Sequence, residues 1–185
     1  MDEVEKLIEQ LKDEDDDVRS SAAEALEKIG DKRSVFPLIE MLSDPDEEVL
    51  EYTCMALGKI RDERAVLPLI EFIETSDSNE ADIYFAIRAL GQIGDERAIE
   101  PLIEMLKDPE RRKSSARALG EICTKKSIEA LIEVLQSENI EERNVAVSGL
   151  YRNVKHGDEH YQKIAEICSD IARCSAESRT LFDLI

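Results

Sequence analysis

A chain of 185 residues with 42% hydrophobic and 36% charged content can bury a core and is too apolar to be disordered throughout. Its formal net charge of −19 gives a surface that on average repels nucleic acid and anionic membrane, so no nucleic acid and no membrane are expected as partners. No apolar run is long enough for a transmembrane helix, and sparse glycine and proline with no tryptophan favour an all-helical protein.

The first segment, MDEVEKLIEQLKDEDDD, has neither a cationic leader nor an apolar signal core, and a cytoplasmic location is expected. Val4, Leu7, Ile8 and Leu11 fall at i, i+3, i+4, i+7, one buried stripe of a helix. A second helix follows, in which Val18, Ala22, Ala25, Leu26 and Ile29 make an alanine-rich stripe and Ser20, Ser21, Glu24 and Lys28 the opposite, exposed arc.

This pair repeats. Leu7-Ile8 recurs as Leu38-Ile39, Leu69-Ile70, Leu102-Ile103 and Leu131-Ile132, a period of roughly 31 residues that marks a solenoid of helix pairs. The copies ALEKIGDKRSVFPLIEML, ALGKIRDERAVLPLIEFI, ALGQIGDERAIEPLIEML and ALGEICTKKSIEALIEVL each span a helix end, a turn and the next helix. The turns are Gly30-Asp31, Arg61-Asp62, Gly94-Asp95 and Cys123-Thr124, where glycine ends one helix and Asp or Thr caps the next. Pro37, Pro68 and Pro101 either kink the first helices or sit near their free N–H groups. Gly58, Gly91 and Gly120 share one column of the second helices, and a mid-helix glycine, about 1 kcal/mol worse than alanine, needs a packing reason. Five units are expected, at about 1–30, 31–61, 62–94, 95–123 and 124–154.

From 155 to 185 the pattern changes. Tyr161, Ile164, Cys168 and Ile171 form one stripe, expected as a capping helix, and Leu181, Phe182, Leu184 and Ile185 either close the solenoid or leave an adhesive end. Cys54, Cys123, Cys168 and Cys174 form no CxxC pair and read as reduced core fillers. His156-Gly157-Asp158-Glu159-His160 matches H-x-x-E-H, but Gly157 and Asp158 read as a helix start that leaves His156 outside it, so a solvated turn is expected rather than zinc. Glu9, Glu40, Glu71, Glu104 and Glu133 recur in one column and read as solvated faces. No metal, cofactor or catalytic residue is expected.

The units VRSSAAEALEKIGDKRSVFPLIEML and ALGQIGDERAIEPLIEML resemble HEAT repeats, in the variant first named for the phycobilisome lyase family. The resemblance implies an all-α, right-handed α-solenoid of about five HEAT-like pairs with a C-terminal capping helix, its second helices lining a concave face. It also implies an arginine ladder one residue after the first valine of each second helix. Arg19, Arg112 and Arg143 fit that position, while Leu50 and Ile83 should interrupt it. Hydroxylase members bind iron through His-Glu pairs, and no such dipeptide occurs here.

Carrying the helical register onto the concave face gives Glu51, Tyr52, Met55 and Lys59 from the second unit and Tyr84, Phe85, Arg88 and Gln92 from the third. The fourth supplies Lys113, Ser114, Arg117 and Glu121, and the fifth Asn144, Val145, Ser148 and Arg152. Tyr52, Met55, Tyr84, Phe85, Arg88, Lys113 and Arg117 form the candidate site, an aromatic anchor with a basic flank suited to an amphipathic or acidic partner segment. Two alternatives stay open: Tyr84 and Phe85 turn into the core because the loop before them is longer, and the cations are spent on ion pairs with nearby carboxylates. The expected function is a non-catalytic protein-binding adaptor. A bilin lyase-type subunit is the alternative that the resemblance implies, and a nucleic-acid module is the remoter one.

Overall fold

The computed structural model describes residues 1–75, 80–135, 137 and 139–154. These residues form ten α-helices and no strand: α1 (Glu3–Gln10), α2 (Asp16–Ile29), α3 (Val35–Glu40), α4 (Glu47–Ile60), α5 (Val66–Thr75), α6 (Glu80–Ile93), α7 (Ile99–Met105), α8 (Pro109–Ile122), α9 (Lys125–Leu135) and α10 (Ile140–Val154). Odd and even helices alternate as the first and second members of five pairs. The expected capping helix, the terminal apolar tail, the H-x-x-E-H turn and Cys168 and Cys174 lie outside the described residues.

Local chemistry sets the boundaries. Asp2, Asp15, Asp46 and Asp108 cap α1, α2, α4 and α8 by accepting from backbone amides of the first turn, and Pro109 opens α8 where its missing N–H is not needed. Gly30 ends α2 at φ 70 and Gly94 follows α6 at φ 78, so the backbone angle and not crowding calls for glycine: a Cβ at either would meet nothing within 4 Å. Arg61 and Cys123 take the same left-handed place at φ 54 and φ 49, each at a conformational cost that glycine would not bear. A short 3-10 turn precedes α3, α5 and α7, and Pro37, Pro68 and Pro101 then fall third in each α segment, within the first turn. The second of the two proline expectations therefore holds.

The core runs the length of the array. Leu26, Leu57, Leu90 and Leu119 are each 0% exposed, one from each successive second helix. In α4 the buried residues are Val49, Leu50, Thr53, Cys54, Ala56, Leu57, Gly58 and Ile60, which cover an arc of about 200°. Such width follows from position: a second helix touches its own first helix and the second helices on both sides. The narrow stripe expected for α2 needs correction for this reason. Ser20 and Ala23 are buried, Val18 and Ala25 only half-buried, and Ile29, in a pair flanked on one side only, is 42% exposed. Ser20 donates back to the Asp17 carbonyl, so its burial costs little.

Glycines explain how closely the second helices approach. A Cβ at Gly58, Gly91 or Gly120 would lie 3.0 Å from Ala89 Cα, 2.8 Å from Ala118 Cα or 2.2 Å from the Gly149 carbonyl oxygen. The even helices pack on one another in unbroken series, α2 to α4 to α6 to α8 to α10, while successive odd helices touch sparingly. Helices drawn close on one side and splayed on the other put the even helices on the inner side of the array.

Two sets of arginines tie the units together. Arg19 holds Asp44 of the next pair through two bonds of 2.8 and 3.0 Å and donates to the carbonyls of Asp13 and Glu14. Arg112 donates to the Leu106 carbonyl and pairs with Glu142 of the following helix pair at 3.1 Å. Arg143 donates to the Ser137 carbonyl. Leu50 and Ile83 stand buried at the intervening positions, so this ladder is interrupted where expected. A second set, unforeseen, spans the gap. In Asp31-x-Arg33, Asp62-x-Arg64 and Asp95-x-Arg97 the aspartate caps the turn and grips the arginine two residues on. That arginine also reaches the preceding unit: Arg33 to Asp2 at 2.6 Å and Arg97 to the Glu63 carbonyl at 3.1 Å.

Candidate interaction surface

The arc of α4 left uncovered holds Glu48, Glu51, Tyr52, Met55 and Lys59, and the matching arc of α6 holds Tyr84, Phe85, Arg88 and Gln92. From α8 come Lys113, Ser114, Arg117 and Glu121, and from α10 Asn144, Val145 and Ser148; Arg152 carries no side-chain description. The expected register therefore agrees with the exposure seen for these helices.

The candidate residues separate into two depressions and a half-buried pair. Tyr84, Lys113 and Arg117 line a hollow of about 280 Å³ between α6 and α8, together with Glu110, Arg111 and Ser114 over a floor of Ile83 and Ile87. Met55 and Arg88 meet in a second hollow of about 280 Å³ between α4 and α6, with Glu27, Lys59 and Gln92. Tyr52 and Phe85 line neither; both are half-buried and pack against the core. Tyr84 is 39% exposed. Its ring meets Phe85 edge to face at 5.4 Å between centroids, a contact that stiffens the anchor. The two alternatives for this dipeptide thus divide between its members: Tyr84 faces the groove and Phe85 leans on the core.

The cations divide similarly. Arg117 lies 3.4 Å from Glu121 on its own helix, and Arg111 3.4 Å from Asp108. Arg88 and Lys113 make no ion pair among the described residues. Further toward the N-terminus the lining is acidic. The Glu24 carboxylate, burial and then Glu48 and Glu51 raise the Tyr52 phenol above its usual range. Beneath the face, burial first and then Glu47 and Glu51 raise the Asp82 carboxyl, an aspartate standing where earlier units carry Val18 and Val49. The face is therefore graded, from acidic around Tyr52 to basic around Tyr84.

Among the described residues, no group of three or more His, Cys, Asp or Glu side chains could hold a metal ion, and no helix is long and apolar enough to cross a membrane. Cys54 and Cys123 are buried free thiols, and burial pushes the Cys54 thiol up, away from reactivity.

No curated protein matches the sequence. Solved structures resemble it in fold. An engineered protein superposes with a TM-score of 0.59 at 23% identity, over 90% of this chain and 95% of that one. The complex of CpcE and CpcF of phycocyanin lyase from Nostoc sp. PCC7120 gives 0.58 at 22% identity, over 89% and 80%. A designed armadillo repeat protein in complex with the peptide (KR)4 gives 0.57 at 21%, over 97% and 96%. At these identities the likeness concerns the fold alone. The family model for HEAT repeats matches residues 4–81 and 68–150, most of the chain, and the residues that satisfy it are those that build the stacked helix pairs above. The chain belongs to the HEAT-repeat family.

Proposed function

We propose that the protein is a non-catalytic adaptor that captures an acidic or amphipathic segment of a partner protein on the inner face of its second helices. Tyr84, Lys113 and Arg117 form the primary contact, with Arg88 and Met55 beside them and Tyr52 and Phe85 supporting the face from below. The observation that carries this reading is local charge inversion. In a chain of net charge −19, an exposed tyrosine opens a hollow flanked by Arg111, Lys113 and Arg117, and among the described residues Lys113 is held by no ion pair. Tyrosine and arginine are enriched at interface centres, tyrosine because it buries a large area at low entropic cost and arginine because its guanidinium pairs with carboxylates through several bonds. A cytoplasmic location belongs to the same proposal, supported by the two buried free thiols.

The test uses a fluorescein-labelled peptide alternating glutamate and leucine, with a lysine–leucine peptide as counterpart, followed by anisotropy. The glutamate peptide should bind more tightly, and Lys113→Glu with Arg117→Glu should weaken it at least about tenfold, while Tyr84→Ala weakens it less. Equal binding of the glutamate peptide by wild type and the double variant would refute the proposal. The lyase-type reading is tested on the same protein: a change in bilin absorbance on mixing would replace the adaptor with a tetrapyrrole-binding subunit.

A further inference from the structure

The outer side of the array carries a groove of mixed polar and apolar lining that the proposed function does not use. It lies between α3 and α5, the first helices of the second and third pairs, where the splay of the odd helices leaves their flanks incompletely covered. Ile39 from α3, with Leu42 and Ser43 from the 3-10 turn that follows it, faces Pro68, Glu71, Phe72 and Thr75 from α5 across a space of about 470 Å³. On the same two helices, Phe36 and Leu67 are 59% and 58% exposed, each next in sequence to the proline of its helix. A single exposed apolar side chain is ordinary, but here two occupy equivalent positions in successive units, on the two helices that border the groove. The matching positions in the next two units are Glu100 and Glu129, so the feature is confined to this one groove.

Arg64 lies over the Phe36 ring at 4.8 Å, and Asp62 fixes that guanidinium through bonds of 2.7 and 3.0 Å. One face of the Phe36 ring is thereby packed against a fixed guanidinium. The cations at this end, Arg33 and Arg64, are committed to Asp31, Asp2 and Asp62. Toward the other end the charge is negative and uncommitted. Glu71 lines the groove, and Glu40 and Glu74 stand on the same two helices; all three are exposed and none forms an ion pair among the described residues.

We infer that the outer side of α3 and α5 docks an amphipathic helix of a partner protein, its apolar face against Phe36, Ile39 and Leu67 and its basic residues against Glu71 and Glu40. The groove runs between two successive first helices, which offer exposed apolar side chains together with exposed, unpaired carboxylates, the combination that helix-in-groove recognition uses. The occupant is a protein helix and not an anionic membrane, because the banks carry carboxylates that would be repelled. With the inner face engaged separately, the chain would join two partners.

The probe is a synthetic helix with leucine on one face and lysine on the other, fluorescein-labelled, titrated with the full chain in anisotropy. Phe36→Asp, Leu67→Asp and Glu71→Lys should each weaken binding at least about tenfold. Their thermal unfolding should match wild type, since all three side chains are exposed. Lys113→Glu with Arg117→Glu, on the opposite side, should leave this binding unchanged, so failure here and failure of the inner-face proposal read separately. The inference is overturned if the probe does not bind, if the outer variants bind it like wild type, or if a glutamate-faced helix binds equally well. Dimerisation in sedimentation equilibrium that Leu67→Asp abolishes would also overturn it, by assigning the groove to a second copy of the chain.

Discussion

Replacing Gly91 by alanine should destabilise the protein, against the sign that helix propensity alone gives. Gly91 sits inside α6, where alanine is intrinsically better by about 1 kcal/mol. A Cβ there would meet Ala118 Cα at 2.8 Å and Ala118 Cβ at 3.0 Å. Carbon atoms pack at about 3.5–4.0 Å, so α6 and α8 would have to part by about 1 Å. The obstacle is backbone, and no rotamer change relieves it. Overpacking a tight core costs about 1–3 kcal/mol. Separation would also thin the packing around Leu90 and Leu119, both 0% exposed, which places this site toward the upper end. Setting the propensity gain against that cost leaves a net loss of about 2 kcal/mol. For a chain of this size that is a fall of about 4–8 °C in Tm, measured by far-UV circular dichroism alongside urea unfolding. The other glycines supply a ranking. Gly58→Ala first meets the flexible end of Gln92 at 2.3 Å and should lose less; Gly120→Ala meets the Gly149 carbonyl oxygen at 2.2 Å and carbon at 2.9 Å and should lose more. A Gly91→Ala protein more stable than wild type, or Gly58→Ala losing more than Gly120→Ala, would refute the reasoning.

Three further outcomes are expected. Arg64 beside Asp62 holds its carboxyl down to about 2, below the usual value near 3.9, so this stabilisation is complete above about pH 4 and lost as pH falls through about 2. Asp62→Asn should cost about 1–2 kcal/mol at neutral pH, discounted because Arg64 is 41% exposed, and the gap to wild type should close over that acid range in urea titrations. Arg61→Gly should add about 1 kcal/mol by relieving a left-handed residue at φ 54; an unchanged Tm would show that the conformation carries no strain. Ser115→Ala should stabilise by about 1 kcal/mol, because its buried hydroxyl has no hydrogen-bond partner among the described residues and the equivalent positions are Ala22, Ala86 and Ala146, with Thr53 the one other hydroxyl in this column and likewise unpartnered; a loss of stability would contradict this.

Much of the architecture was legible because each unit repeats its own chemistry. Period, capping aspartates, turn glycines and the apolar stripes of the first helices are local signals, and seeing them several times removes the ambiguity of any single copy. The same register placed Tyr84, Arg88, Lys113 and Arg117 on an uncovered arc, because a helix that buries about 200° leaves the remainder open wherever its neighbours lie. Other features depend on distances between units, which no local pattern encodes. Ser20 is buried and Ile29 exposed because of what packs beside α2, not because of their spacing. Phe85 leans on the core while its neighbour Tyr84 does not, a division made by the axis of α6 relative to α4 and α8. The Asp-x-Arg motif stood in plain view three times, yet its reach into the preceding unit needed the stacked turns to appear. Sequence alone therefore determined what each unit is and that the units stack. Tertiary structure decided how closely they stack, through glycines that admit a neighbouring backbone, and which side opens: tight even helices close the inner face, and splayed odd helices leave the groove between α3 and α5.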